Sequence, residues 1–426
     1  MKINIITLGC SKNTVDSEVL ASNFSKNGHF VEHEYTDGDV VIINTCGFIN
    51  DAKEQSVDTI LAFATLKKKK KIKQLIVIGC LVERYKADLA KEITEVDAWF
   101  GVHEWDDIIR FISQNSAEYT LVDRDLNTPK HYAYLKISEG CNRSCSFCAI
   151  PFIRGKHESR SIESLYEEAL NLASKGVKEL ILIAQDITVY GLDLYNKQML
   201  PELVEKLSEI VEIKWIRLHY AYPLKFPTKI LEMMNTNPKL CKYLDIPLQH
   251  ISDHLLESMN RGHDQKVTKD LIEQIKTRVP DIAIRTTFIV GYPGETENDF
   301  KDLLNFVSES KFDRLGAFPY SDEEGTAAAL LKDDVSLDTK MERMNEIMAL
   351  QQEISLEKNL SFIGKEMVVI IDELEEGIYF ARTEFDSPDV DNQVLIETTN
   401  ELKIGEFYKV KITGADYFDL DAEVIK

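Results

Sequence analysis

The sequence predicts an α/β protein in three parts: an N-terminal parallel α/β domain, a partial (β/α)6 barrel and a small C-terminal all-β barrel. Three observations predict it. Up to about residue 125, short apolar, β-branched runs alternate with helical stretches. From about residue 131 the alternation resumes and repeats six times. After residue 361 the chain changes to short strands separated by turn signals.

In the first part, residues 2–8, 39–44 and 74–78 each carry several apolar residues in succession, as in strands buried on both faces. Helical stretches at 17–27 and 52–66 lie between them, so the connections read as βαβ crossovers of a parallel sheet. In the second part, strands are expected at 133–137, 179–184, 215–219, 243–247, 282–290 and 314–318. Helices such as 161–174, 200–210, 253–259 and 297–308 separate them. Six units fall short of the eight that close a β/α barrel. Residues 337–360 read as one long polar helix. Strands at 366–372, 378–382, 393–397 and 407–413 make the last part a small barrel-like module. The domains expected are therefore 1–125, 126–361 and 362–426.

The chain has 426 residues, 44% hydrophobic and 29% charged, which is enough apolar material for sizeable cores and excludes wholesale disorder. No apolar run approaches the ~18 residues needed to cross a membrane. The first ten residues carry no secretory pattern, so a cytoplasmic location is expected. The net charge of −22 argues against wholesale electrostatic binding of nucleic acid and suits a basic protein partner. Residues 362–426 hold six Lys and Arg against sixteen Asp and Glu, a net −10. The lysine run 67–71 reads as a solvated helix end, with contact to ribosomal RNA as the alternative.

Seven scattered cysteines are a poor disulfide scaffold and suit reduced thiols serving a metal or catalysis. Cys141, Cys145 and Cys148 form CxxxCxxC just after the first barrel strand. Three thiolates can hold three irons of a [4Fe–4S] cube and leave the fourth open. An open iron can chelate the amino and carboxylate groups of S-adenosylmethionine (SAM), and one electron then releases a 5′-deoxyadenosyl radical. A zinc knuckle is the competing reading, but no second cysteine pair or well-spaced histidine follows. Phe147 is placed to neighbour the adenine or simply to pack in the core.

Cys10, Cys46 and Cys80 are about 35 residues apart, and each follows the carboxyl end of a predicted parallel strand, in LGC, NTC and IGC. Those ends line one edge of an open α/β sheet, where ligands bind, so the three converge as a second open three-thiolate site or else are buried structural thiols. Gly9, Gly47 and Gly79 beside them favour close cluster approach. Cys241 belongs to neither set and reads as an ordinary thiol.

The motifs LGCSKNTVDSE, SEGCNRSCSFCAIPFIRGKHESRS, AQDITVYGLD, YLDIPLQHISD, TFIVGYPGETEND, FDRLGAFPYSDEEGT and LQQEIS run in this order along nearly the whole chain. Together they resemble the methylthiotransferase branch of the radical-SAM enzymes. Within it they are most similar to the type that modifies an aspartate of ribosomal small-subunit protein twelve. The resemblance implies an N-terminal methylthiotransferase domain whose cluster carries the sulfur, a radical-SAM core, and a C-terminal TRAM module. It implies two [4Fe–4S] clusters held by the six cysteines, and SAM as cofactor. It implies attack at the aspartate β-carbon, where hydrogen-atom abstraction succeeds because acid–base chemistry would have to form a carbanion beside a carboxylate. Two SAM are consumed, one as methyl donor and one as radical source. The reaction also calls for an electron donor and a sulfur donor. The stretch 156–159 departs from a fixed pattern.

Other polar residues have two readings each. Gln185 and Asp186 end the second barrel strand, as SAM contacts or loop caps. Gln249 and His250 follow the fourth strand on similar terms. Arg285 in the fifth strand is expected either to pair with the SAM carboxylate or to make a structural salt bridge. Gly291, Pro293, Gly294 and Glu295 shape the adenine pocket or a plain helix-capping turn. Asp16 and Glu18 read as charges at the start of a helix. The acidic C-terminal module repels phosphate and attracts a Lys/Arg-rich protein, so the ribosomal protein is expected over a tRNA adenosine. A non-catalytic, metal-stabilised protein-binding module is the rival of another class.

Overall fold

The computed structural model describes residues 1–36, 38–113 and 119–425. Its first sheet holds β1 (Lys2–Thr7), β2 (Phe30–His33), β3 (Gly38–Thr45), β4 (Ile72–Gly79) and β5 (Ala98–Phe100), all parallel, in the order β2-β1-β3-β4-β5. The central strands β1, β3 and β4 are apolar on both faces because helices cover both sides. The helices that concern the site are α1 (Ser11–Lys26), α2 (Asn50–Lys68) and α3 (Cys80–Glu92), followed by α4 (Trp105–Ser113). α1 is buried almost all round from Lys12 to Phe24, with Leu20 and Phe24 toward the sheet and Val15 and Val19 against Tyr132 and Tyr134 of the next domain.

The second sheet holds β6 (Tyr132–Lys136), β9 (Glu179–Ile183), β10 (Trp215–Leu218), β11 (Leu240–Asp245), β12 (Ala283–Val290) and β13 (Arg314–Pro319). Its six strands are parallel and lie in sequence order, a β/α barrel left open. The two-residue strands β7 (Ser138–Glu139) and β8 (Glu158–Ser159) pair across the neck of the loop that bears the second cysteine triplet and the short helix α5 (Ile150–Arg154). The long helix Leu337–Leu360 packs beside β13 and leads out of this domain.

The last unit is a closed five-stranded barrel of β14 (Glu366–Glu375), β15 (Ile378–Thr383), β16 (Val394–Glu397), β17 (Phe407–Ala415) and β18 (Leu420–Val424) around Val369, Ile371, Val394, Ile396 and Val410. The loop after β15 docks on the core domain through ion pairs. Arg285 reaches Asp391 at 2.6 Å, Arg314 pairs with Asp386, and Arg217 donates to the Glu384 carbonyl at 2.7 Å. Part of this module's acidity is thus consumed by docking. Glu373, Glu375 and Glu376 remain exposed at the β14–β15 turn. Among the described residues, no helix is long and apolar enough to cross a membrane.

Candidate active site: two cysteine triplets on one chamber

The strand order 2-1-3-4-5 reverses direction between β1 and β3, and the crevice at such a reversal is where an open α/β sheet binds ligands. Cys10 follows β1, Cys46 follows β3, and Cys80 follows β4 as the first residue of α3. Cys10 caps the start of α1, so Cys10 and Cys80 stand at helix N-termini, which favour a thiolate. The glycines are required by space. A Cβ on Gly9 would lie 2.7 Å from the Cβ of Cys46, and one on Gly47 would lie 2.7 Å from the Leu81 nitrogen. Gly79 has φ +101°, and a Cβ there would meet Asn44 at 2.5 Å.

The second triplet lies on the loop between β7 and α5. Asn260 holds this loop through the Ser144 carbonyl at 2.7 Å, and Ser146 holds it through the Ser258 carbonyl at 2.7 Å. The Arg143 backbone N–H donates to Cys141 Sγ at 3.3 Å, and Arg261 Nη1 lies 3.3 Å from Cys145 Sγ.

All six cysteines line one cavity of about 390 Å³ between the two domains. Burial pushes the Cys80 and Cys141 thiols up to about 11 and Cys148 up to about 12, while Arg154 opposes the effect at Cys80 and the Arg143 backbone N–H opposes it at Cys141. Such thiols keep their protons unless a metal takes the proton's place. Arg143, Arg154, Arg261 and Lys12 are the cations on the wall, and no Asp or Glu lines it among the described residues. Soft thiol donors and a cationic wall fit two anionic iron–sulfur groups, while the three glycines serve the close packing of the strand ends that carry the N-terminal cysteines, not space for the group itself. Among the described residues, no three Cys, His, Asp or Glu side chains close round a single ion.

Models of three families match the chain: Uncharacterized protein family UPF0004 over residues 2–101, the Radical SAM superfamily over 135–307, and the TRAM domain over 363–425. A protein of Bacteroides thetaiotaomicron described as ribosomal protein uS12 methylthiotransferase RimO is 51% identical, covering 100% of this chain and 98% of its own. One of Flavobacterium johnsoniae with the same description is 54% identical over 99% of this chain and 98% of its own. The chain belongs to the RimO family of radical-SAM methylthiotransferases. The radical-SAM methyltransferase TsrM of Kitasatospora setae, solved with tryptophan and a SAM analogue, shares the fold at TM-score 0.55 and 14% identity, covering 74% of this chain and 72% of its own.

For a RimO-family enzyme, working with iron–sulfur clusters and SAM, the placement of the remaining polar residues matters most around the cavity. Phe147, Gln185 and Gln249 line it. Phe147 also packs beside Met259 and Tyr292, so both readings of it hold geometrically. Gln185 donates to Glu139 at 3.0 Å while its carbonyl oxygen has no partner. Gln249 has φ +74°, a strained backbone at the mouth of the barrel. Asp186 caps the turn at Thr188 at 2.9 Å and pairs with Arg143 at 2.9 Å. His250 is fully buried, with Nδ1 accepting from the Ser252 N–H at 3.0 Å.

Arg285 is not brought to the cavity. It is the third residue of β12, near the amino end, and its guanidinium is taken by Asp391. Of its two readings, the structural salt bridge is the one adopted, because the reacting end of a β/α barrel is the carboxyl end. Gly291 and Glu295 form a closed turn: Glu295 accepts from the Gly291 N–H at 2.6 Å and from Arg343 at 2.9 Å. Pro293 and Gly294 continue that turn, and none of the four lines the cavity. Asp16 and Glu18 lie beyond the first turn of α1 and do not serve its N-terminus. Asp16 pairs with Arg154 at 2.8 Å and with Lys136 across the domain boundary, and Glu18 pairs with Arg124, which itself reaches Glu168 of the barrel domain. Lys67 and Lys68 pair with Asp97 and Glu95 at the end of α2. Cys241 is buried against Trp215 and Tyr243, apart from both triplets.

Sequence reasoning missed the wall residues Lys12, Arg143, Arg154, Tyr220, Tyr222 and Arg261. Lys12 and Arg154 had a local signal, since each lies within six residues of a triplet cysteine. Arg143 sits between two of the triplet cysteines, whereas Tyr220 and Tyr222 follow β10 and Arg261 follows the helix Asp253–Ser258, far along the chain from both triplets, and had none.

Proposed function

We propose that this chain methylthiolates the β-carbon of an aspartate in ribosomal small-subunit protein uS12, in the cytoplasm, consuming two SAM per turnover. The observation that carries this reading is that two cysteine triplets from separate domains line a single chamber. Cys10, Cys46 and Cys80 would hold one [4Fe–4S] cluster and Cys141, Cys145 and Cys148 the other, within units 1–125 and 126–361. When bound, these groups with SAM supply the carbon-centred radical chemistry and the sulfur.

The chain's own residues fix the geometry. Phe147, Gln185 and Gln249 border the SAM side of the chamber. Arg154 donates to Asn13 at 2.6 Å and lies 3.4 Å from Cys80, holding α1 against the loop of the other triplet. Arg261 stacks on Tyr222 at 4.3 Å and lies beside Cys145. Domain packing through Asp16, Arg154 and Lys136 keeps the two triplets on the one chamber. The exposed acidic turn of the 362–426 unit suits a basic ribosomal protein and repels tRNA phosphate.

The test is anaerobic reaction of the reconstituted enzyme with protein uS12, SAM and a reductant, read by mass spectrometry. A methylthio group on one aspartate is expected, and so is its absence from protein uS12 of cells lacking this chain. Modification of tRNA adenosine with uS12 unaltered overturns the reading.

A further inference from the structure

The chamber wall carries four cations and, among the described residues, no carboxylate, in a protein of net charge −22. Three of the four are already engaged. Arg143 is paired with Asp186, Arg154 with Asp16 and Glu139, and Arg261 donates to the Pro247 carbonyl at 2.7 Å and lies beside Cys145. Lys12 is the exception. It is 9% exposed, and no hydrogen bond or ion pair to its ammonium occurs among the described residues. Its Nζ sits 3.2 Å from the centroid of the Tyr220 ring. Tyr220 presents that ring from the carboxyl end of β10 with φ +62°, a left-handed backbone that a tyrosine adopts only where the surroundings impose it.

An ammonium carries three donors, and an aromatic face replaces only part of its lost hydration. The buried Asp245 acts on this ammonium only at a distance, without a hydrogen bond or ion pair, so a cation that no anion contacts remains a cost that an arriving anion offsets. The position of Lys12 says which anion. It lies two residues after Cys10 on the first turn of α1, and its side chain crosses to the barrel domain, so its charge stands between the triplets. The substrate carbon must meet the radical from the barrel side and the sulfur from the N-terminal side. In an aspartate the carboxylate is one bond from that carbon. We propose that Lys12 receives the side-chain carboxylate of the target aspartate and so positions its β-carbon between the two triplets. This rests on the aspartate methylthiotransferase reading above.

The test uses the reconstituted holoenzyme, kept anaerobic, and two synthetic peptides of protein uS12 that carry the target aspartate or asparagine in its place. The wild-type enzyme is expected to bind the aspartate peptide about ten- to a hundredfold more tightly, the range of a charge-assisted hydrogen bond. Lys12→Met keeps the apolar contact with Tyr220 and is expected to bind both peptides equally, at the weaker affinity. Lys12→Arg is expected to recover part of the preference, which a merely structural role would not produce. Wild-type iron and sulfide content in each variant excludes misfolding as the cause. An undiminished aspartate preference in Lys12→Met overturns the assignment. So does a loss of SAM affinity with the peptide preference intact, which would give the ammonium to the SAM carboxylate. A wild-type enzyme that binds neither peptide removes the substrate reading and this assignment with it, an outcome distinct from the other two.

Discussion

Replacing Arg124 with methionine tests how the chamber is held together. Arg124 is wholly buried where the N-terminal domain meets the barrel. Its Nε donates to Glu18 of α1 at 3.0 Å, its Nη1 reaches Glu168 of the helix Ile162–Ser174 at 3.1 Å, and it also donates to the Tyr134 carbonyl. Both carboxylates are fully buried. Removing one partner of a buried ion pair costs roughly 3–5 kcal/mol, because the other charge is left without compensation. Glu18 keeps the Asn127 and Thr128 N–H groups at 2.9 and 3.3 Å, and Glu168 keeps Arg160. The loss is therefore placed at the lower end, about 3 kcal/mol. The assay is urea unfolding followed by far-UV circular dichroism, with Lys266→Ala as control. Lys266 forms an exposed pair with Asp270, whose removal should cost at most about 1 kcal/mol. Because Arg124 joins two domains, Arg124→Met is also expected to split one transition into two as the N-terminal domain melts first. A loss indistinguishable from that of Lys266→Ala, with a single transition, refutes the reasoning.

Three other outcomes follow from the same geometry. Asp245 is fully buried in the barrel and burial raises its pKa to about 6, so between pH ~4 and ~6 the folded state binds the proton more tightly than the unfolded one. Stability should fall by about 3 kcal/mol as pH rises through that window, and Asp245→Asn should remove the fall; an unchanged profile in thermal melts contradicts this. Gly9→Ala should displace Cys46 and empty the N-terminal site, halving the iron content, whereas Gly176→Ala, at φ +102° with open space around it, should cost only ~1 kcal/mol and keep all its iron. Reversing the charges of Glu373, Glu375 and Glu376 should weaken binding of protein uS12 most at low salt, where the Debye length is ~30 Å at 0.01 M; a salt-independent effect removes the electrostatic argument.

The parallel sheets were legible because their central strands are covered on both faces and so read as unbroken apolar runs, as in β3 and β9. The strands that escaped lie at a sheet edge, are short, or alternate with charged residues. β2 is a half-exposed FVEH with one neighbour, β5 has three residues, and β18 alternates as LDAEV. β11 begins at Leu240, earlier than expected, because Cys241 is buried where the C-terminal module docks, and no local pattern announces a domain contact. α1 begins at Ser11 and not near residue 17, since both of its sides are covered and its polar residues find protein partners instead of water: Asn13 donates to the Leu8 and Thr45 carbonyls and accepts from Arg154, Asp16 pairs with Arg154, and Glu18 with Arg124. That shift also explains why Asp16 and Glu18 looked like helix-terminal charges. The cysteines could be gathered from sequence because strand ends share one edge of a sheet. Of the wall cations, Lys12, Arg143 and Arg154 lie close to a triplet cysteine in the sequence, but their contacts with Tyr220, Asp186 and Asp16, like the arrival of Arg261, depend on partners far along the chain.

The most direct test of the two-cluster chamber is an iron and acid-labile sulfide count on anaerobically reconstituted protein, made for the wild type, Cys46→Ala and Cys145→Ala. About eight irons in the wild type and about four in each variant are expected, with reductive SAM cleavage lost only in Cys145→Ala. A wild type that holds a single four-iron group or one zinc, or variants that keep the full complement, would contradict the account.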